Sequence, residues 1–216
     1  RSVRITLRHR SSVIATILVV FACLLITVGC STQPVETFDG TELDDDGVAY
    51  DFQLDDQFGS PVALRDLRGN VVVLTFMYTN CPDVCSIVTT QLDGIYESLG
   101  ERAAEVEVVA ISVDPERDTI EEAHGFLERW GLTEEWSFLV GDRASLEPIW
   151  GAYYLAPVSQ GGGPAGALRQ LSTEPYFVRH STPVYLIDRT GHRRIVFTQP
   201  LDPDEVSHDI HLLLSE

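Results

Sequence analysis

The sequence contains no lysine. All 15 of its basic residues are arginine, and they face 33 acidic residues, which gives a formal net charge of −18. Four arginines lie within the first ten residues, so the rest of the chain carries 11 arginines against 33 acids, a formal charge of −22. A surface this acidic repels a phosphate backbone. We therefore expect no nucleic-acid partner.

This shortage of positive charge has two interpretations. One is adaptation to high external salt, in which counterions screen the repulsion between carboxylates. The other is an electric field that concentrates cations near one site. The acidic residues are spread over the whole chain and are not gathered at one point. This distribution favours the first, halophilic interpretation.

Cysteine is also scarce, with four residues in the chain. Cys23 lies inside an apolar N-terminal run and Cys30 follows that run, which leaves Cys81 and Cys85 for the chemistry of the folded part. The Thr-x-x-Cys motif of thiol peroxidases is missing, since Thr75 is not followed by a cysteine at the required spacing. The sequence therefore argues against a peroxidase.

Residues 1–30 predict a segment that holds the protein at a membrane. An arginine-rich stretch at 1–12 precedes an uncharged apolar run at 13–28, as in signal peptides. Gly29-Cys30 follows, which resembles a lipoprotein signal with Cys30 as the lipidated residue. The alternative is an uncleaved transmembrane anchor. Because the arginines favour the cytoplasmic side, both interpretations place a membrane-held domain outside the cell.

The polar segment at 31–49 separates this region from the rest of the chain. It is acidic and has no periodic apolar pattern, which is typical of a solvated linker. We therefore predict an acidic linker at 31–49 and a folded domain at 50–216.

From residue 50 onward, strand and helix patterns alternate. Segments at 52–54 and 62–64 flank a Gly-Ser-Pro turn and predict a β-hairpin, and the apolar run at 71–78 predicts a strand buried on both faces. Similar patterns predict strands at 106–113, 184–187 and 195–198 and helices at 86–99, 119–130, 144–153 and 203–215. Alternation of strands and helices indicates a parallel core, and the late strand pair adds an antiparallel edge. The predicted fold is α/β, a thioredoxin-like three-layer sandwich with an N-terminal β-hairpin and a mixed central sheet.

Cys81 and Cys85 lie where the buried strand gives way to the first predicted helix. Pro82 suits the first helical position, so we expect Cys81 at the positive end of the helix dipole, which stabilises a thiolate. Cys85 lies four residues on, and therefore projects from the same face one turn later. Three chemistries stay open: a structural disulfide, dithiol redox chemistry, and binding of a soft metal such as Cu(I). A bridge across so short a loop removes little chain entropy, and three intervening residues suit an ion better than two, so metal binding is favoured.

His180 is the candidate for a third metal donor. It lies shortly before Thr182-Pro183, which opens a predicted strand. In thioredoxin-like folds the loop before this strand faces the active-site helix, and its proline is cis. If Pro183 occupies that position, His180 lies within reach of both sulfurs. The alternative is an ordinary surface histidine.

Two aspartates are candidates for supporting this site. Asp83 lies between the cysteines, where it would tune the thiolates or contact a partner, or else complement the helix dipole. Asp114 follows the strand at 106–113 and so emerges at the same sheet edge as Cys81; the alternative is that it caps its own loop. His208 and His211, three residues apart on the last predicted helix, are a weaker candidate for metal binding and are more typical of a solvated face.

Three segments resemble the Sco/SenC family of copper proteins, at residues 76–85 (FMYTNCPDVC), 111–119 (ISVDPERDT) and 176–188 (YFVRHSTPVYLID). The resemblance extends from about residue 50 to 215. It implies that Cys81, Cys85 and His180 bind Cu(I) or Cu(II). It further implies a metallochaperone that delivers copper to the Cu(A) site of a cytochrome oxidase, with cytochrome c oxidase subunit II or a similar copper acceptor as its partner.

A second function stays open beside this one. A membrane-anchored thiol-disulfide oxidoreductase would use the same two cysteines, with Cys81 attacking a target disulfide and Cys85 resolving the mixed disulfide. His180 discriminates between the two functions, because metal transfer needs its imidazole and thiol exchange does not.

Overall fold

The computed structural model describes residues 37–43, 47–82, 84–156, 158–159, 178–179 and 182–216, with only the backbone of 158–159 and 178–179. The predicted targeting segment, including Cys30, lies outside these residues. Over the described part of the chain, no helix combines the length and the apolar character that a bilayer crossing requires.

A six-stranded mixed sheet forms the centre of the domain, with the strand order β1-β10-β9-β4-β5-β6. The strands of this sheet are β1 (Thr41–Glu42), β4 (Val71–Met77), β5 (Val106–Ser112), β6 (Trp136–Leu139), β9 (Val184–Ile187) and β10 (Arg193–Phe197). The neighbours β4, β5 and β6 run parallel, whereas β9 and β10 are antiparallel additions. The predicted parallel core with an antiparallel edge is confirmed.

Two smaller strand pairs lie outside this sheet. The first, β2 (Gln53–Asp55) with β3 (Pro61–Ala63), is the predicted N-terminal hairpin. The second joins β7 (Val158–Ser159) to β8 (Val178–Arg179). Because β8 ends directly before His180 in sequence, the predicted third donor directly follows this second pair in the chain.

Over the described residues, four α-helices connect and cover the strands: α1 (Val84–Ser98), α2 (Ile120–Trp130), α3 (Arg143–Ala152) and α4 (Pro203–Ser215). Side-chain caps begin three of them, since Thr119, Asp142 and Asp202 each accept a backbone N–H from the first turn. Gly131 ends α2 in the left-handed conformation at φ 73°. All four helices were predicted from the sequence to within two residues at either end.

Strand β4 occupies the middle of the sheet, and all seven of its residues are buried. It has a parallel neighbour on one side, β5, and an antiparallel neighbour on the other, β9. A strand covered on both faces and both edges needs an apolar sequence without alternation. The residues that follow β4 are therefore attached to a strand that is buried on both faces and paired along both edges.

Strand β6 was missed in the sequence. Its four residues gain their structure by pairing with β5. The side-chain amide of Gln57 supplements this pairing, because it donates to the carbonyls of Thr133 and Trp136 at 2.8 Å and accepts the N–H of Phe138 at 3.0 Å. The strand thus depends on a residue about 80 positions away in sequence.

Residues 41–42 fall in the segment predicted to be a linker, yet they form β1 and pair with β10. Just beyond, the backbone N–H of Leu43 donates to the carbonyl of Arg194 at 2.9 Å, and the N–H of Ala49 donates to Gly191 at 2.8 Å. The expectation of a solvated linker is wrong for these residues. Pairing with a distant strand stabilises a segment whose own composition carries no strand signal.

Candidate metal centre

The two cysteines of the candidate site lie together where β4 leads into α1. The backbone N–H of Cys81 donates to the carbonyl of Tyr78 at 3.3 Å, which closes a tight turn directly after the strand. The sulfur of Cys81 then accepts the backbone N–H of Cys85 at 3.4 Å. An N–H of the first helical turn has no partner within its own helix, so the sulfur of Cys81 satisfies one of these donors.

The two sulfurs have different environments. Cys85 is fully buried, whereas Cys81 is half-buried. A hydrogen bond to Cys81, burial, and the negative charge of Cys81 together raise the pKa of the Cys85 thiol far above its ordinary value. Ionisation is therefore disfavoured at Cys85, and Cys81 is the more accessible of the two residues.

This arrangement can act chemically in two ways. Two adjacent sulfurs, one of them reachable from solvent, are the soft donors that select Cu(I). The same pair is a half-buried nucleophile backed by a buried thiol, which is the arrangement that thiol-disulfide exchange requires. The donor chemistry fits copper, and a third ligand would complete the site.

Asp118 supports the turn that carries Cys81, and it was not predicted from the sequence. Its carboxylate accepts the backbone N–H of Thr79 at 3.0 Å, the hydroxyl of Thr79 at 2.7 Å and the hydroxyl of Ser112 at 2.5 Å. The side chain is 5% exposed, and burial raises its pKa to about 6 despite these hydrogen bonds. Asp118 thus joins the ends of two neighbouring strands, β4 and β5, close in sequence to the turn that carries Cys81.

Asp114, which the sequence predicted as a supporting residue, lies at the same sheet edge but serves its own loop. It is fully buried, its N–H donates to the hydroxyl of Ser112 at 3.1 Å, and its carboxylate accepts Nε of Arg117. The Arg117 guanidinium lies over the ring of Tyr78, 5.6 Å from its centroid. Through Arg117, Asp114 is therefore connected to Tyr78 in the turn after β4.

The predicted third donor, His180, lies outside the described residues, as does Asp83. The strand after His180 is nevertheless well defined. The hydroxyl of Thr75 in β4 donates to the carbonyl of Pro183 at 3.1 Å, and Thr182 is 5% exposed. The chain two residues after His180 is thus fixed beside the strand that ends at the cysteine turn.

The cis proline expected at position 183 is not found. The cis peptide bond of the described residues is Gln199–Pro200. Pro183 lies beside β4, and its peptide bond is not cis.

Of the two histidines of the last helix, His208 joins a cluster of possible metal ligands. The Nδ1 atom of His208 lies 3.0 Å from a carboxylate oxygen of Asp39 and 3.2 Å from one of Asp209. His211 does not take part in this cluster of possible metal ligands. One of the two carboxylates beside His208, that of Asp39, comes from the N-terminal segment, which no spacing within α4 reveals.

The fold and the cysteine pair together define the class of protein. A dithiol at the start of the helix that follows the central strand of a mixed sheet is the arrangement of thioredoxin-like thiol proteins. Within that class, the sequence profile of the SCO1/SenC family matches residues 40–215. The chain therefore belongs to the SCO1/SenC family.

Similar proteins agree with this assignment. The SCO2-like protein of Rickettsia typhi is 24% identical over 181 residues, which cover 83% of this chain and 85% of the relative. Copper-bound ScoI of Bradyrhizobium japonicum has a TM-score of 0.66 at 28% identity and covers 77% of this chain and 99% of its own. Apo Sco1 of Thermus thermophilus has a TM-score of 0.68 at 28% identity, covering 84% and 99%. The predicted thioredoxin-like fold is confirmed.

Proposed function

We propose that this protein binds copper through Cys81, Cys85 and His180 and delivers it to the Cu(A) site of a cytochrome oxidase. The observation that carries the proposal is the contact between the Cys81 sulfur and the first turn of α1, with the Cys85 thiol beside it. A related protein, ScoI of Bradyrhizobium japonicum, has been solved with copper bound. The partner would be oxidase subunit II or a similar copper acceptor.

Each ligand would have a distinct role. Cys81, half-buried, would be the sulfur that meets both incoming copper and the acceptor. Cys85, buried at the helix start, would lose its proton when copper binds, because a metal ligand must be the thiolate. His180 would add an imidazole from the segment before β9. The first described residue of that segment is Thr182, and the next one, Pro183, accepts a hydrogen bond from Thr75 of β4. A site with few ligands, one of them a partly accessible sulfur, suits a copper ion that must be released again.

We propose that residues 1–30 anchor the domain on the outer face of a cell membrane, either through a lipid on Cys30 or as an uncleaved helix. The strongly acidic surface would keep the domain soluble at high salt. Asp83, between the cysteines, is proposed to contact the copper acceptor or to tune the sulfurs.

A second candidate function, thiol-disulfide exchange, is favoured by the contrast between the two sulfurs. Cys81 thiolate would attack a target disulfide, forming a mixed disulfide and releasing one target thiolate. Cys85 would then lose its proton and attack Cys81, which forms the Cys81–Cys85 disulfide and releases the second target thiol. The target gains two electrons and this protein loses two. The same dithiol would then need reduction before it could bind Cu(I).

Copper titration of the reduced full-length chain in detergent tests the proposal. We expect about one copper ion per chain, and severe weakening in Cys81→Ser, Cys85→Ser and His180→Ala. His211→Ala is the matched control, since this exposed histidine lies far along the chain on α4, and it should bind like the wild type. If His180→Ala retains full copper affinity while Cys81→Ser abolishes disulfide reduction, the oxidoreductase function replaces the chaperone function.

A further inference from the structure

Three potential metal ligands meet at a place remote in sequence from the cysteines. Asp39 comes from the N-terminal segment at 37–43, and His208 and Asp209 come from α4. The ligand atoms of all three residues lie within 4.8 Å of one another. Nδ1 of His208 is central, at 3.0 Å from Asp39 and 3.2 Å from Asp209. The cluster therefore joins the two ends of the domain.

Asp209 is firmly held in this cluster. It is fully buried, and its two carboxylate oxygens accept the backbone N–H groups of Asp39 and Gly40, each at 2.9 Å. A side chain at position 40 would meet Ile195 at 2.4 Å and Phe197 at 2.6 Å, so glycine is required for this close approach. These contacts fix both the carboxylate and the backbone that carries Asp39.

The spacing and access of the donors suit an ion. Four ligands around a metal with bonds of about 2.0–2.1 Å are separated by about 3.3 Å, close to the two distances from His208. A carboxylate oxygen has two lone pairs, so the oxygen of Asp209 that accepts one N–H keeps another for a ligand bond. The side chains of Asp39 and His208 are 46% and 40% exposed, which lets an ion enter and water complete its coordination.

We propose that Asp39, His208 and Asp209 form a second metal site, which binds a divalent cation with zinc as its best match. One imidazole and two carboxylates are borderline and hard donors, the set that zinc accepts and that Cu(I) does not favour. The two sites therefore separate metals by chemistry: sulfur ligands for the cuprous ion and nitrogen and oxygen ligands for the divalent ion. Binding ties the segment at 37–43, where the chain enters the domain, to α4.

Zinc titration by calorimetry tests this site in the full-length chain carrying Cys81→Ser and Cys85→Ser, which removes the thiols of the first site. We expect one zinc ion to bind per chain. Adding His208→Ala or Asp39→Asn should weaken the zinc affinity at least tenfold. His211→Ala, one turn along the same helix, should leave the affinity unchanged. Both test residues are partly exposed, so neither substitution is expected to unfold the chain.

Amide hydrogen exchange gives an independent readout. Zinc should slow exchange at residues 39–43 in the parent and have no effect on them in His208→Ala. Two outcomes overturn the proposal: zinc affinity that is equal in the parent and in His208→Ala, or no zinc binding together with exchange that zinc does not change. In the second case, Asp39, His208 and Asp209 would form an ion pair and no metal site.

Discussion

Asp118 accepts both the backbone N–H and the hydroxyl of Thr79, at 3.0 and 2.7 Å, and so fixes the turn that presents Cys81. Asp118→Ala would leave these two donors and the Ser112 hydroxyl buried without an acceptor. We expect the free energy of unfolding to fall by about 3 kcal/mol, because each buried donor left unpaired costs about 1–3 kcal/mol. Urea denaturation measures the change.

Asp56→Ala is the matched control for this prediction. Asp56 also accepts two backbone N–H groups, from Phe58 and Ser60, but in an exposed turn. Water can replace its carboxylate there, so we expect a loss below about 1 kcal/mol. Equal losses in the two variants would contradict the account of Asp118.

The raised pKa of Asp118, about 6 in the folded state against 3.8 for an ordinary carboxyl, predicts a pH dependence. The folded protein binds this proton more tightly than the unfolded chain does. The stability due to Asp118 is therefore full below pH 3.8 and falls as pH rises through about 6. Asn resembles the protonated acid, so Asp118→Asn should gain stability relative to the wild type between pH 4 and 7, by up to about 3 kcal/mol.

Paired denaturation curves at several pH values check this difference, and the subtraction removes the titration of the other carboxylates. A difference that stays constant from pH 4 to pH 7 would show that Asp118 titrates at its ordinary value. A difference of the opposite sign would mean that the hydrogen bonds from Thr79 and Ser112 outweigh burial.

The unequal sulfurs predict unequal alkylation. Iodoacetamide reacts with a thiolate that it can reach, and Cys85 is buried with a raised pKa. We expect Cys81 in the Cys85→Ser variant to react at least about tenfold faster at pH 8 than Cys85 in the Cys81→Ser variant. Peptide mass spectrometry separates these sites from Cys23 and Cys30. Equal rates would contradict the assignment of Cys81 as the reactive sulfur.

Gln57 is expected to contribute strongly to stability through β6. Gln57→Ala removes the partners of two carbonyls and one N–H at this strand. We predict a loss of about 2–4 kcal/mol in urea denaturation. Gln53→Ala, in the exposed β2, is the control and should cost less than about 0.5 kcal/mol. Similar losses for both would mean that β6 does not depend on the Gln57 amide.

The sequence predicted those elements whose pattern is local. The apolar run of β4 identifies a strand buried on both faces, and Pro203 at the start of α4 marks the beginning of the last helix. By contrast, β1 and β6 are short and gain their structure from pairing with β10 and β5. Both pairings involve residues far away in sequence, so the local pattern of β1 and β6 did not reveal them.

The same distinction applies to the site. The position of Cys81 and Cys85 followed from a strand, a proline and a helix, all adjacent in sequence. Asp118 was missed because its role depends on burial and on contact with Thr79 from a neighbouring strand end. Its one sequence signal was its place in the segment at 111–119. The prediction named the other aspartate of that segment, Asp114, instead.

The metal-coordination claim is tested most directly by X-ray absorption at the copper edge of the copper-loaded, full-length chain. We predict two sulfur scatterers and one imidazole nitrogen for the wild type. His180→Ala should lose the nitrogen and keep both sulfurs, and Cys85→Ser should lose one sulfur. A spectrum that His180→Ala leaves unchanged, or a wild-type spectrum without sulfur scatterers, would contradict copper binding by Cys81, Cys85 and His180.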